Sequence, residues 1–205
     1  MPLRSRDQSR FRANSGARSA DRRPVPPLDA AALDRLALRY VERFATTRGR
    51  LADYLRRKLR ERGWADEAVP PDPEGVAGRM ATLGYVDDRA YGEGKAAAMA
   101  RRGLGARRVG GALRAARLDA DDLEAIAPEI ADRALDAALA LARRRRIGPY
   151  AAELADRPLR ERQLAAMLRA GHELGLSRRI VGAAPGDLIR DAAHGSGDCD
   201  VDEPC

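Results

Sequence analysis

Apolar side chains recur through the middle of the chain at spacings of three, four and seven residues, which is the period of an α-helix. The first such stretch places on one helical face the residues Leu33, Leu36, Ala37, Tyr40, Val41 and Phe44. No stretch shows the alternation of apolar and polar positions, rich in β-branched residues, that a half-buried strand needs. The pattern therefore predicts an all-α protein.

Glycines and aspartates mark the ends and starts of the first four predicted helices. Gly63 and Gly84 follow the second and third helices, and glycine suits the left-handed position just past a helix end. Asp87 or Asp88 can cap the fourth helix. No histidine, third carboxylate or phosphate-binding glycine loop accompanies this Asp pair, so we interpret all four residues as structural caps rather than as chemistry.

Five more helices follow in the second half of the chain. Gly103 separates the fourth from the fifth, which runs through Val109 and Leu113. The residues predicted to begin the last four helices are Asp119, Pro128, Pro158 and Ser177. The chain is thus expected to form nine helices in three groups of three.

The middle helices of these groups share a sequence element. Leu55, Val109 and Leu164 each begin an aliphatic-x-x-x-Leu-Arg segment, and the offsets between them are 54 and 55 residues. A near-constant offset is typical of tandem repeats. It predicts three-helix repeats over the ranges 28–86, 87–127 and 128–186. The spacing alone does not distinguish a curved array from a compact bundle.

The two ends of the chain carry opposite charge. Residues 1–23 hold seven arginines and two aspartates, whereas residues 187–205 hold six acidic residues and one arginine. Both ends lack the apolar side chains that would offset chain entropy, so we expect disordered tails over 1–27 and 187–205. The whole chain has a net charge of +7, and the tail charges of +5 and −5 cancel, so the folded part is itself basic.

Several classes of protein are disfavoured by composition. No apolar run approaches the roughly 20 residues of a membrane-spanning helix, and the N-terminus has no apolar signal region. Cys199 and Cys205 lie in the acidic tail, and His172 and His194 are the only histidines. We therefore expect a cytoplasmic protein without membrane contact, metal, cofactor or catalytic residues.

Three segments of the chain carry motifs of a known protein family. Residues 83–91, Leu-Gly-Tyr-Val-Asp-Asp-Arg-Ala-Tyr, are similar to a Gly-Tyr-x-Asp-Asp segment that joins the family's first two repeats. Residues 102–113 resemble its Gly-x-Gly-x-x-(Arg/Lys)-Ile-x-x-x-Leu helix, and residues 55–63 its Leu-x-x-Lys-Leu-x-x-(Lys/Arg)-Gly helix. On these motifs the chain resembles the RecX family, and the resemblance covers roughly residues 31–182.

The resemblance implies a regulator of the RecA recombinase, active in DNA repair, homologous recombination and the SOS response. RecX-like proteins are elongated, curved helical-repeat proteins that lie in the groove of the RecA filament on single-stranded DNA. By implication this protein is a monomer that contacts the RecA nucleoprotein filament, and single-stranded DNA weakly or indirectly. It would inhibit filament growth, ATPase, strand exchange and coprotease activity without being an enzyme.

Basic side chains on the predicted helices are the candidate contacts to such a filament, because guanidinium groups pair with phosphates and carboxylates in bidentate fashion. The candidates are Arg56, Arg57, Lys58, Arg60, Arg101, Arg102, Arg107, Arg108, Arg114, Arg143, Arg144, Arg145, Arg146, Arg162, Arg178 and Arg179. The alternative for each one is a solvated helix face, and for the run 143–146 a set of cations that complements the helix dipole. Trp64 and Tyr85 are expected to pack at helix ends rather than to stack on bases.

A direct DNA-binding regulator with a helix-turn-helix module is the rival hypothesis, favoured by the basic charge of the folded part. A recognition helix carries base-reading side chains near its N-terminus. The fifth predicted helix instead begins Gly-Ala-Arg-Arg and continues through Gly110 and Gly111. That sequence suits phosphate contact better than base readout.

Overall fold

A computed structural model describes residues 26–189 of the chain. Within that range the all-α prediction is confirmed: it holds nine α-helices and one short 3-10 turn, with a single isolated bridge between Leu28 and Trp64 in place of any strand. The helices are α1 (Ala30–Val41), α2 (Arg48–Arg62), α3 (Pro73–Thr82), α4 (Asp88–Arg101), α5 (Ala106–Ala115), α6 (Ala120–Asp132), α7 (Ala134–Arg145), α8 (Arg157–Ala170) and α9 (Leu174–Gly182). Residues 1–25 and 190–205, most of the two predicted tails, lie outside the described range.

Most of these helices begin at a side-chain cap. In seven of the nine helices between residues 26 and 189, an Asp, Glu or Thr side chain accepts a bond from a backbone N–H in the first turn. Such caps satisfy N–H groups that have no partner inside the helix. The exceptions are α5 and α7, and α5 finds its partners on another helix, as described below.

Between residues 26 and 189 the core consists of three hydrophobic clusters, each built by three consecutive helices. Leu33, Leu51 and Val76 belong to the cluster of α1–α3. A second cluster joins α4–α6 around Leu113, and a third joins α7–α9 around Met167. The clusters define three groups of three helices, while the repeat ranges stay a prediction; the predicted boundary between residues 127 and 128 falls inside α6.

The C-terminus of α8 meets the N-terminus of α5 end to end. The backbone N–H groups of Gly105 and Arg107 donate to the carbonyls of Ala170 and Gly171, at 2.9 and 3.2 Å. A Cβ atom at Gly105 would lie 2.4 Å from the carbonyl carbon of Gly171, so only glycine permits this approach. The two helix ends therefore satisfy each other, which explains why α5 needs no side-chain cap.

The C-terminus of α5 meets the N-terminus of α2 in the same orientation. The Thr47 hydroxyl, which caps α2, donates to the carbonyl of Ala116 at the end of α5. A Cβ atom at Gly49 would lie 2.4 Å from Cβ of Arg117, so glycine is required here too. The middle helices of the three groups are thus arranged in the order α8, α5, α2, and the C-terminus of each contacts the N-terminus of the next. This head-to-tail arrangement aligns the helix dipoles favourably.

Two predicted helix starts are wrong. Pro128 lies inside α6 rather than at the start of α7, because Ile126 is fully buried and Ile130 packs against the same cluster, which holds the helix across the proline. Ser177 lies inside α9, where its hydroxyl donates to the carbonyl of Glu173, and Glu173 is the residue that caps this helix.

Candidate functional site

The predicted cap residues occupy helix ends, but Asp88 acts on a different helix from the one expected. Asp87 caps α4 by accepting a bond from the N–H of Ala90 at 2.8 Å. Asp88 lies in the first turn of α4 and accepts instead from the N–H of Arg48, the first residue of α2. It does not cap α4, because its carboxylate is buried against α2 and completes that helix's N-terminus.

The two predicted glycine caps both have a positive φ. Gly63 has φ 79° with an extended ψ of 174°, so it turns the chain away from α2 outside the left-handed helical region. Gly84 has φ 78°, and its N–H donates to the carbonyl of Ala81. The following N–H, of Tyr85, donates to Met80, which is the bonding pattern of a Schellman helix end.

Arg48 is the centre of a polar cluster between the first and second groups of helices. Its guanidinium pairs with Asp88 at 3.2 Å, with Asp119 at 2.7 Å and with Asp122 at 3.0 Å. The Asp88 side chain is only 4% exposed, and those of Arg48 and Asp122 are partly exposed. One cation is therefore shared by three carboxylates that come from the starts of α4 and α6.

The pKa values of this cluster reflect its crowding. Burial lowers the pKa of Arg48, but the bond and charge of Asp88, with those of Asp119 and Asp122, outweigh it and raise the pKa overall. The backbone N–H of Asp122 lowers the pKa of Asp119, which caps α6. Burial and the neighbouring Asp119 charge raise the pKa of Asp122. These shifts fit an ion-pair cluster that fixes one group of helices on the next.

His172 performs the equivalent task between the second and third groups. Its ring is buried directly after α8, and Nε2 lies 3.1 Å from the carbonyl oxygen of Gly103 at the end of α4. Burial lowers the pKa of this imidazole, although the bond to Gly103 acts in the opposite direction. The neutral ring is therefore the form that the junction favours.

Several candidate cations are already engaged within the protein. Arg56 pairs with Asp53 and Glu74, and both Arg57 and Lys58 pair with Glu61. The further engaged candidates are Arg107, bonded to the carbonyl of Leu168 at 2.6 Å, Arg143, on the Tyr150 ring, Arg162, bonded to the carbonyl of Pro158, and Arg179. For Arg107 this contact is structural, because it adds a second bond, beside that from the N–H of Gly171, to a carbonyl at the end of α8.

The remaining candidates are exposed, and between residues 26 and 189 their guanidinium groups make no hydrogen bond or ion pair. We call this set the unpaired arginines, and its members are Arg60, Arg101, Arg102, Arg108, Arg114, Arg144, Arg145, Arg146 and Arg178. They come from all three groups of helices. Exposed guanidinium groups without protein partners can bind phosphate or carboxylate without first breaking an ion pair within the protein.

The fold brings two parts of this set near each other. Gly103 backs onto α7, where a Cβ atom on it would lie 2.8 Å from the backbone nitrogen of Leu141. The end of α4, with Arg101 and Arg102, therefore lies beside α7, one helical turn before Arg145. Basic side chains of the second and third groups are thus concentrated at one junction.

The two aromatic expectations have different outcomes. Trp64 packs against the first cluster, and its indole N–H donates to the carbonyl of Val69 at 2.7 Å. The Tyr85 side chain was expected to pack but is exposed, with 54% of its surface accessible. It lies on the rim of a shallow groove of about 340 Å³ between α1 and α3, with Met80 and Leu83 beside it, because the turn at Gly84 directs it outward.

Arg48, Thr47 and His172 were not predicted to hold the groups of helices together. Each acts on a partner between 40 and 74 residues away along the chain, so no local pattern indicates its role.

Among the described residues, no three His, Cys, Asp or Glu side chains are placed to hold a metal ion. The helices of this same range include none with the length and apolar character needed to cross a membrane.

Comparison with known proteins identifies a relative that aligns with most of the chain. No family model matches the chain. The regulatory protein RecX of Myxococcus xanthus (strain DK1622) is 30% identical to it over 167 residues, covering 75% of this chain and 86% of the relative. Identity at this level, over most of both chains, shows common descent, and the helical structure agrees with the resemblance carried by residues 55–63, 83–91 and 102–113. The chain belongs to the RecX family of regulatory proteins.

Proposed function

We propose that this protein binds the RecA filament on single-stranded DNA and inhibits RecA, without catalysing a reaction itself. It acts as a cytoplasmic monomer, limits filament growth, and thereby lowers ATPase, strand-exchange and coprotease activity. Membership of the RecX family is the observation that carries this proposal. Contact with single-stranded DNA is weak or passes through the filament.

The unpaired arginines support a contact that extends over several filament subunits. The first group of helices contributes Arg60, the second contributes Arg108 and Arg114, and the third contributes the last turn of α7. A repeating filament offers the same acidic and phosphate groups at regular intervals. Cations on three successive groups of helices suit such a partner better than they suit a single compact site.

The junction between α5 and α8 disfavours the helix-turn-helix alternative. A recognition helix places its N-terminal residues in the major groove of DNA. In α5 the N–H groups of Gly105 and Arg107 are bonded to the end of α8, and the Arg107 guanidinium is bonded to Leu168. The N-terminal end of α5 is therefore held against the end of α8, which disfavours its insertion into a groove.

The test is a titration of RecA's DNA-dependent ATPase with this protein, using the RecA of the same organism. We expect inhibition at protein levels far below one molecule per RecA subunit, since blocking filament growth at few positions affects many subunits. Inhibition only at levels that coat the DNA would indicate simple competition for phosphates instead.

A matched pair of variants connects the effect to the unpaired arginines. Arg101→Glu with Arg102→Glu should weaken inhibition, because both guanidinium groups lack a protein partner. Arg157→Glu is the control: its side chain is 87% exposed, it pairs only with Glu161, and it is not a candidate contact. Equal inhibition by both variants would contradict the assigned role.

A further inference from the structure

The last turn of α7 carries an unusual density of uncompensated charge. Arg143, Arg144, Arg145 and Arg146 are consecutive and exposed. Arg143 lies over the ring of Tyr150, with its Cζ 5.1 Å from the ring centroid, and the other three guanidinium groups have no hydrogen bond or ion pair among the described residues. Like charges packed this closely favour a partner that supplies several carboxylates or phosphates.

The described chain ends next to this turn. Arg146 is followed within three residues by Pro149, whose carbonyl accepts a bond from the N–H of Gly186 at 3.0 Å. Ile189, the last described residue, packs against the same hydrophobic cluster as Tyr150. The segment that follows residue 189 therefore leaves the folded body close to the arginine run.

That segment has the complementary charge. Residues 190–205 contain five acidic residues and one arginine, a net charge of −4, and four of the acids lie at Asp198, Asp200, Asp202 and Glu203. Eight residues separate Ile189 from Asp198, and an extended chain covers about 3.3–3.6 Å per residue, so these carboxylates reach the end of α7. We propose that residues 190–205 dock in cis on the arginine run 143–146 and cover it in the free protein.

The covalent connection favours this partner over free anions. A tethered segment is present near its binding surface at an effective concentration in the millimolar range for short linkers, and it presents several carboxylates at once. Pairing between exposed charges is screened by salt, so the docked state is expected to weaken as ionic strength rises. An external partner must therefore compete with the acidic segment for binding to the arginine run. The docking itself does not depend on the proposed RecA function, whereas its effect on inhibition does.

The two cysteines of the chain offer a direct test, since both lie in the acidic segment. With Cys205→Ser, a nitroxide label can be attached to Cys199 of the full-length protein. We expect the amide NMR signals of Arg144, Arg145 and Arg146 to lose most of their intensity at ~0.05 M salt and to recover it at ~1 M, where the Debye length is only about 3 Å. The amide of Arg60, an unpaired arginine in the first group of helices, is the internal control and should keep its intensity.

A neutralised variant separates charge pairing from chance proximity. Replacing the four acids by Asp198→Asn, Asp200→Asn, Asp202→Asn and Glu203→Gln should restore the signals at low salt. Signals that stay attenuated in this variant, or that are never attenuated in the parent, would overturn the proposal. So would attenuation centred on another basic region.

The same variant then measures the consequence for RecA. If inhibition requires the arginine run, the neutralised variant should inhibit the ATPase at roughly threefold to tenfold lower concentration, because apparent affinity rises as the competent fraction rises. Salt-sensitive attenuation together with unchanged inhibition would keep the docking and reject the masking of the RecA contact. If the parent protein does not inhibit the RecA ATPase at all, that result counts against the proposed function and not against the docking.

Discussion

The Asp88 carboxylate binds Arg48 twice, accepting from its backbone N–H at 2.8 Å through one oxygen and from its guanidinium Nε at 3.2 Å through the other. A residue in the first turn of α4 thereby completes the N-terminus of α2. The same guanidinium continues to Asp119 and Asp122 at the start of α6. Three helix starts from two groups of helices are thus held by one side chain.

Replacing Arg48 should therefore weaken the protein more than loss of an ordinary surface pair. Arg48→Met leaves Asp88 buried without its cation, and breaking a buried pair costs about 3–5 kcal/mol. Because 43% of the Arg48 side chain is exposed, solvent screening reduces the expected loss to about 2 kcal/mol. Urea unfolding measures it directly.

The double variant with Asp88→Asn is the control for this effect. Neutralising the carboxylate removes the unpaired charge, so the double variant should be destabilised by less than the sum of the two single changes. Strict additivity would mean that Arg48 stabilises the protein through packing of its stem alone.

The close approach of α5 and α8 predicts opposite effects for two glycine substitutions. Gly105→Ala introduces a Cβ atom 2.4 Å from the Gly171 carbonyl carbon, so it should destabilise the protein by about 1–3 kcal/mol. Gly111→Ala, in the same helix, meets no atom within 4 Å and should stabilise it by roughly 0.5–1 kcal/mol. Thermal unfolding of the two variants, side by side, checks the pair. A similar change in both would mean that the two helix ends are not in contact.

Burial of His172 predicts loss of stability in mild acid. Its pKa is lowered in the folded protein, so the unfolded chain binds a proton first as the pH falls below the ordinary value of about 6.5. The free energy of unfolding should be highest above that pH and should fall as the pH drops through the interval between the unfolded and folded pKa values. Unfolding measured from pH 7.5 to pH 5 follows this change.

His172→Gln isolates the contribution of the imidazole. Glutamine keeps a donor for the Gly103 carbonyl but does not titrate, so the slope of stability against pH should be smaller in this range. An unchanged slope would assign the acid sensitivity to other groups.

Arg107 and Arg108, adjacent at the start of α5, are expected to have different roles, one in stability and the other in RecA inhibition. Arg107→Glu removes the bond to Leu168 and places an anion beside carbonyl oxygens, so it should lower the free energy of unfolding by about 1–2 kcal/mol. Arg108→Glu changes an unpaired side chain and should leave stability within about 0.5 kcal/mol while weakening RecA inhibition. Measuring unfolding and ATPase inhibition on both variants distinguishes a structural arginine from a contact arginine. Equal stability losses would contradict the distinction.

The sequence predicts the helices well, because apolar spacing and caps act within a few residues. Asp119 and Asp87 begin helices as expected. Pro128 misleads because its local preference for a helix start is outweighed by burial of Ile126 on the same helix. Burial of this kind depends on α4 and α5, which the local pattern does not contain.

The contacts between groups of helices were not predictable in the same way. Thr47 caps α2, and nothing near it in the sequence indicates that its hydroxyl also reaches the carbonyl of Ala116. His172 follows a helix end and shows no partner until Gly103 is placed beside it. Among the basic residues, composition supplied the candidates, but only the fold separates Arg107, which is engaged, from Arg108, which is not.

The order of the middle helices has a consequence for synthesis on the ribosome. Asp88 is synthesised 40 residues after its partner Arg48, and Ala116 is synthesised 69 residues after its partner Thr47. When the first group of helices emerges, the N-terminus of α2 still faces water, and it becomes complete only after the second group has been translated and folded onto it. The backbone N–H groups at the start of α5 likewise find their partners only when the end of α8 has been made. Each newly folded group of helices therefore completes the helix N-terminus of the group before it, and the chain gains its full stability only as its last helices are added.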